Sequence, residues 1–163
     1  MSSSLTAGAG VAQSRPRSIS PVTVLLIAAL VLAIIGFGVA TYLSIVHYTH
    51  NEIACNGLGD CEYVNSSKYA EVAGVPVAVM GAIAYATMAL FMLAYLFARI
   101  PALLQLIWLI GFASFAFSMY LTAIELWVLE AICVYCVVSA TVMTALFALQ
   151  SWLLWLTRES LLE

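Results

Sequence analysis

The chain has 163 residues, 65% of them hydrophobic and only 8% charged, whereas roughly a quarter of a soluble domain is charged. That balance excludes a water-soluble globule. Five lysines and arginines against eight acidic residues make no basic surface for a nucleic acid, and neither a Gly-x-Gly-x-x-Gly fingerprint nor a phosphate loop occurs.

Residues 1–20 are rich in Ser, Ala and Gly, carry Arg15 and Arg17, and lack the apolar content needed to fold, so they read as a disordered tail. Beyond them lie four uncharged stretches: Ser18 to Asn51, Val72 to Ala98, Ile100 to Ile124 and Ala131 to Thr157. Each exceeds the roughly 20 residues that cross a hydrocarbon core of about 30 Å. The expected transmembrane helices are 22–46, 75–98, 102–124 and 131–156. Gly38-Val39-Ala40 could pass for a signal-peptide cleavage site, but the apolar run continues to Val46, which favours an uncleaved anchor. Backbone groups in lipid must pair within the chain, and no barrel-like alternation is present, so the fold class is an all-α integral membrane protein, a four-transmembrane-helix bundle. The domain reading is a 1–20 tail, a membrane domain over 21–157 and a 158–163 tail.

Four spans put Arg15, Arg17, Arg99 and Arg158 on one side and only Lys68 on the other, so both termini are expected in the cytoplasm. The same topology places all four cysteines outside, where disulfides persist. Trp127 at the outer boundary, and Trp152 and Trp155 at the inner one, fit an interfacial belt. Gly36, Gly38, Ala40 and Gly111 offer close helix contacts, and the methionines read mainly as filler.

Between the first two spans lies the polar segment 47–74. Cys55 and Cys61 in it are separated by a turn-forming pentapeptide, Asn56 to Asp60, which allows them to close a disulfide and suggests a mobile pair. The stretch 62–72 is expected to form a short interfacial amphipathic helix over the bundle. His47 and His50 read as solvated residues at a helix end rather than as ligands. Cys133 and Cys136 lie at i and i+3 near the outer start of the last helix, on one helical face, where the helix dipole favours a thiolate.

Two cysteine pairs at one bilayer face suit an electron relay, because thiolate attack on a disulfide passes two electrons from pair to pair. A membrane quinone, ubiquinone or menaquinone, is the matching acceptor: apolar, reached through lipid, and reduced by two electrons. The alternatives are purely structural disulfides, for which an i, i+3 bridge closes too short a loop to stabilise much, and a four-cysteine zinc site, which an oxidising compartment disfavours. A non-catalytic scaffold or metal-binding membrane protein would follow from either.

The order Cys55-x5-Cys61-x5-Ser67, then Gly74-x-Pro76, then Cys133-x-x-Cys136 on the last helix resembles the vitamin K epoxide reductase family, in particular its bacterial homologues. Quinone-linked thiol oxidases of the DsbB kind also have four helices and two cysteine pairs, but carry their Cys-x-x-Cys in the first outer loop. The resemblance implies an enzyme, a quinone-dependent thiol-disulfide oxidoreductase of the bacterial inner membrane, with a loop segment capping the quinone site. It makes Cys136 the residue facing the quinone, Cys133 its exchange partner, Cys55 and Cys61 the relay with Cys61 meeting Cys133, and Ser67 a cap residue near the quinone. Where the animal enzymes hydrogen-bond vitamin K through an asparagine and a tyrosine, this chain has Val77 and Ala140, which counts against the alternative of a quinone or vitamin K epoxide reductase acting in the reducing direction. Because the chain stops at Glu163 without a thioredoxin-like domain, the expected electron donor is a separate extracytoplasmic thioredoxin-fold (DsbA-type) protein acting in trans in disulfide bond formation.

Overall fold

The computed structural model describes residues 21–49, 53–55 and 59–159. The expected terminal tails lie outside these residues, apart from Arg158 and Glu159, and so do His50 and the Asn56-Gly57 turn. In chain order the elements are α1 (Pro21–Thr49), α2 (Cys61–Asn65), β1 (Glu71–Val72), β2 (Val75–Pro76), α3 (Val77–Ala98), α4 (Pro101–Trp127) and α5 (Val134–Glu159). The four long helices are each apolar and long enough to cross a membrane. At 1.5 Å per residue, even the 22-residue α3 extends about 33 Å. This is a multi-pass, all-α membrane protein.

The helices close a ring in which α1 neighbours α3 and α5, and α4 neighbours α3 and α5. Apolar residues lie all round α1, so hydrophobicity does not choose its inward face; size does. Ala29, Ala33, Gly36 and Ala40 point inward while Ile27, Val31, Ile34 and Phe37 point out, as expected where lipid is as apolar as the core and close packing supplies the attraction. Gly36 meets the ring of Tyr85 on α3, and Gly111 of α4 makes room for the Gln150 side chain of α5. A side chain at either position would collide. Gly38, by contrast, has no neighbour where a Cβ would lie. Met88 and Met92 fill the core, and Trp127, Trp152 and Trp155 are exposed at the rim.

The turn between α3 and α4 is as short as two residues. Arg99 ends α3 in the left-handed region, its N–H donating to the Tyr95 carbonyl at 2.9 Å, and Ile100 is extended ahead of Pro101, which opens α4 at a position needing no N–H donor.

Several element limits differ from those the apolar runs predict. α1 continues to Thr49 because its last turn, though polar, docks on the cap: His47 joins the Asn65 carbonyl (Nδ1, 3.2 Å) and the Glu71 carboxylate (Nε2, 3.1 Å). His47 is therefore a cap anchor rather than a solvated end residue. The expected 62–72 amphipathic helix is only the five residues of α2, followed by turns and the β1–β2 hairpin, whose central Ala73 and Gly74 both have positive φ (54° and 80°), the backbone that a two-residue hairpin demands. Val75 and Pro76 belong to that hairpin, so α3 starts at Val77 rather than 75. α4 runs three residues beyond 124, and α5 starts at Val134 rather than 131.

Candidate active site

All four cysteines meet at one end of the bundle. Cys55 and Cys61 form a disulfide with a Cα separation of 6.3 Å, while Cys133 and Cys136 are free thiols. Cys61 and Cys133, both fully buried, share an apolar cluster with Val64 and Ala131, against which Cys55 and Cys136 pack. The two cysteines that the resemblance pairs for exchange thus share one buried cluster.

Backbone pairing creates that approach. Gly59 forms an antiparallel bridge with Cys133, and the Asp60 N–H donates to the Ile132 carbonyl at 3.0 Å. At Gly59, φ is +110° and a Cβ would run into the Ile132 carbonyl oxygen, so only glycine admits this contact. Two tyrosines hold the other strand of the loop at Ala54: its N–H donates to the Tyr42 hydroxyl (3.3 Å) and its carbonyl accepts from the Tyr135 hydroxyl (3.0 Å), with the two rings 5.2 Å apart. The described parts of the loop are therefore strapped to α1 and α5, which corrects the expectation of a freely mobile pair.

Cys133 does not lie on the last helix, as the motif suggested, but immediately before it. Its extended backbone pairs with Gly59, and its carbonyl accepts the Val137 N–H at 3.0 Å, making it the residue that opens α5. The consequence is chemical. The Cys136 thiol, interacting with the Cys133 sulfur from one turn on, pulls the Cys133 thiol down to about 7; burial opposes this, the N–H groups of Cys136 and Tyr135 assist, and the charge of Glu125 opposes. The N–H groups at the opening of α5 thus add to an effect that comes mainly from the Cys136 thiol.

Cys136 faces the other way, into a cavity of about 330 Å³ bounded by α1, α3, α4, α5 and the cap. Its walls are mostly apolar, with Leu43, Val77, Phe117 and Leu121 among them. Ser67 lines it from the cap, and the buried Ser67 hydroxyl has no hydrogen-bond partner among the described residues. Val77 is in the wall, whereas Ala140 is buried one residue beyond the lining Ser139.

Sequence reasoning missed one residue of this site. Glu125 reads as an outer loop acid, yet α4 extends past it, leaves it 7% exposed, and places it in the cavity wall beside Cys136. Its Oε2 accepts the Cys133 N–H at 3.3 Å, and its side chain interacts with the Cys136 thiol. The signal was its flanks: one acid between Ile124 and Leu126-Trp127-Val128-Leu129, eight residues before Cys133. Among the described residues no group of three or more His, Cys, Asp or Glu is arranged to hold a metal ion.

The model of the Vitamin K epoxide reductase family matches residues 27–151, from the second turn of α1 into the C-terminal half of α5, and so takes in the four cysteines, Ser67 and the cavity. The chain belongs to the vitamin K epoxide reductase family.

Proposed function

We propose that this protein is a membrane thiol oxidoreductase that takes electrons from an extracytoplasmic thioredoxin-fold protein and delivers them, through Cys55–Cys61 and then Cys133–Cys136, to a membrane quinone. The observation that carries this reading is the position of the second pair: Cys133 packs against Cys61, while Cys136 opens into the apolar cavity. One pair thus contacts both a sulfur donor and a greasy acceptor site. The family supplies the coarse chemistry, that of a membrane oxidoreductase.

The cavity suits a quinone ring. Its volume of about 330 Å³ lies at the small end of ligand sites, which run from about 300 to about 1,000 Å³. The unpaired Ser67 hydroxyl is a donor of the kind a quinone carbonyl requires, and Cys136 lies in the same wall. Bound there, a quinone would accept two electrons and two protons.

In this reading the partner thiolate attacks the Cys55–Cys61 disulfide, and resolution of the mixed disulfide leaves both loop cysteines reduced. A loop thiolate, from Cys61 by its packing, then attacks the Cys133–Cys136 bond at Cys133 and frees Cys136 towards the cavity. Resolution restores the loop disulfide and leaves Cys133 and Cys136 as thiols. The arrangement with a closed loop pair and an open second pair is the one reached after internal exchange and before electrons leave for the acceptor. Cys133 then closes on Cys136 as the electron pair departs.

The test is quinol formation by the purified full chain, driven by a reduced DsbA-type protein. Cys136→Ala should lower turnover at least about 10³-fold, as expected for loss of a reacting sulfur. Unchanged turnover would overturn the assignment.

A further inference from the structure

Closing the Cys133–Cys136 disulfide releases protons as well as electrons, beside a cavity whose walls are mostly apolar. Among the described residues Glu125 is the one carboxylate in the cavity wall. It is buried, and among the described residues no lysine, arginine or histidine forms an ion pair with it. A carboxylate taken out of water without a cation is costly, and at membrane depth such a group by default marks function. Its contacts are the Cys133 N–H and the Cys136 thiol, which are the two residues whose bond forms.

We propose that Glu125 is the proton carrier of this site, taking the proton of the Cys136 thiol and passing it to a carbonyl oxygen of the acceptor bound in the cavity. The inference rests on the functional reading above. In balance, the Cys136 S–H bond breaks and the Cys133–Cys136 S–S bond forms, so that the pair loses two electrons. Glu125 holds the Cys136 proton until an O–H bond forms on the acceptor. The Cys133 proton leaves to water as its thiolate forms, and a second proton enters from the aqueous face to complete the quinol. The other titratable groups of the wall are less suited. Tyr85 already donates to the Ser139 carbonyl at 2.9 Å, and Tyr69 lines the cavity from the cap, where Lys68 Nζ lies 5.0 Å from its ring centroid.

The alternative role for Glu125 is structural, that of an acceptor for the N–H of Cys133. Glu125→Gln separates the two, because the amide oxygen still accepts that N–H but the side chain cannot carry a proton. We expect quinol formation to fall about 10²-fold or more, within the usual range for a positioned acid–base group, with thermal stability close to that of the wild type. A second readout needs no quinone. In infrared difference spectra of the quinone-free full chain, the dithiol and disulfide forms of Cys133–Cys136 should differ in a carboxyl C=O band, and that band should be missing from Glu125→Gln. If the glutamine variant does not hold its fold, Glu125→Asp carries the test through a shifted band and lowered turnover. Wild-type turnover in either variant, or a carboxyl band that persists in Glu125→Gln, overturns the proposal. A wild-type protein with the carboxyl band but no quinol formation overturns the functional reading and, with it, the acceptor half of this one.

Discussion

At the scale of single residues, the two sulfurs of Cys-Val-Tyr-Cys are not equivalent, although the motif reads symmetrically. Cys133 sits at the opening of α5, where N–H groups and the Cys136 thiol favour its thiolate, and Cys136 lies a turn inside against the cavity. A thiol lowered to about 7 matches an attacking group best suited to neutral pH, since nucleophilicity falls as the pKa drops further. Below that value Cys133 is mostly protonated and above it mostly thiolate. Attack of the Cys133 thiolate on the loop disulfide, the reverse of the internal exchange, should therefore rise roughly tenfold per pH unit below about 7 and level off above it, as read by acid quench and alkylation at each pH. In Cys136→Ala, formation of the mixed disulfide between Cys133 and the loop should follow a profile displaced to the alkaline side, because the main group lowering Cys133 is gone. An unmoved profile would assign the effect to the helix terminus alone. The cysteines and Ser67 were legible as residues; Glu125 was not, because an acid at the edge of an apolar run reads the same whether the helix stops before it or carries it into the wall.

At the scale of elements, a backbone contact joins the segments that carry the two cysteine pairs. The strand-like pairing of Gly59 with Cys133 brings a loop and a helix entrance together, and the link 128–133 turns back far enough for the Ala131 N–H to reach the Glu125 carbonyl at 3.2 Å. Gly59→Ala forces a Cβ against the Ile132 carbonyl at a φ of +110°, a strain of order 1–3 kcal/mol. Since each 1.4 kcal/mol is tenfold, internal exchange should slow by about 5- to 150-fold. The melting temperature should hardly move, because the four long helices pack through other residues. Rapid-quench exchange rates beside a thermal melt check both; an unchanged rate would mean that the bridge does not set the approach of the two pairs. Helix existence was readable from apolar length alone. The cap was misjudged because its hairpin, made by Ala73 and Gly74, lies in a stretch whose composition suits a helix.

At the scale of the whole molecule, the ring of four helices puts both cysteine pairs at one end and Arg99 and Arg158 at the other. With lysine and arginine favouring the cytoplasmic side, the cysteine end is expected to face outward. Single-cysteine variants at positions 55 and 136, challenged in intact cells with a membrane-impermeant maleimide, should both be modified from outside, position 136 more slowly because it is half-buried. A cysteine added at position 158 should react only after the cells are opened. Labelling of positions 55 and 136 from opposite sides would end the relay.

The sequence alone determined the number of spans, their approximate limits and which cysteines fall in pairs, because removing charge from some twenty consecutive residues leaves few options in water and because the spacing of the cysteines is read directly from the chain. Only the tertiary structure decided which face of each helix turns inward, which sulfur meets the loop and which meets the cavity, and that Glu125 joins them. In a membrane the outward face is as apolar as the core, so the periodicity that would mark the inside of a soluble helix is silent. Contacts between backbone groups, such as that between Gly59 and Cys133, leave no mark on composition at all.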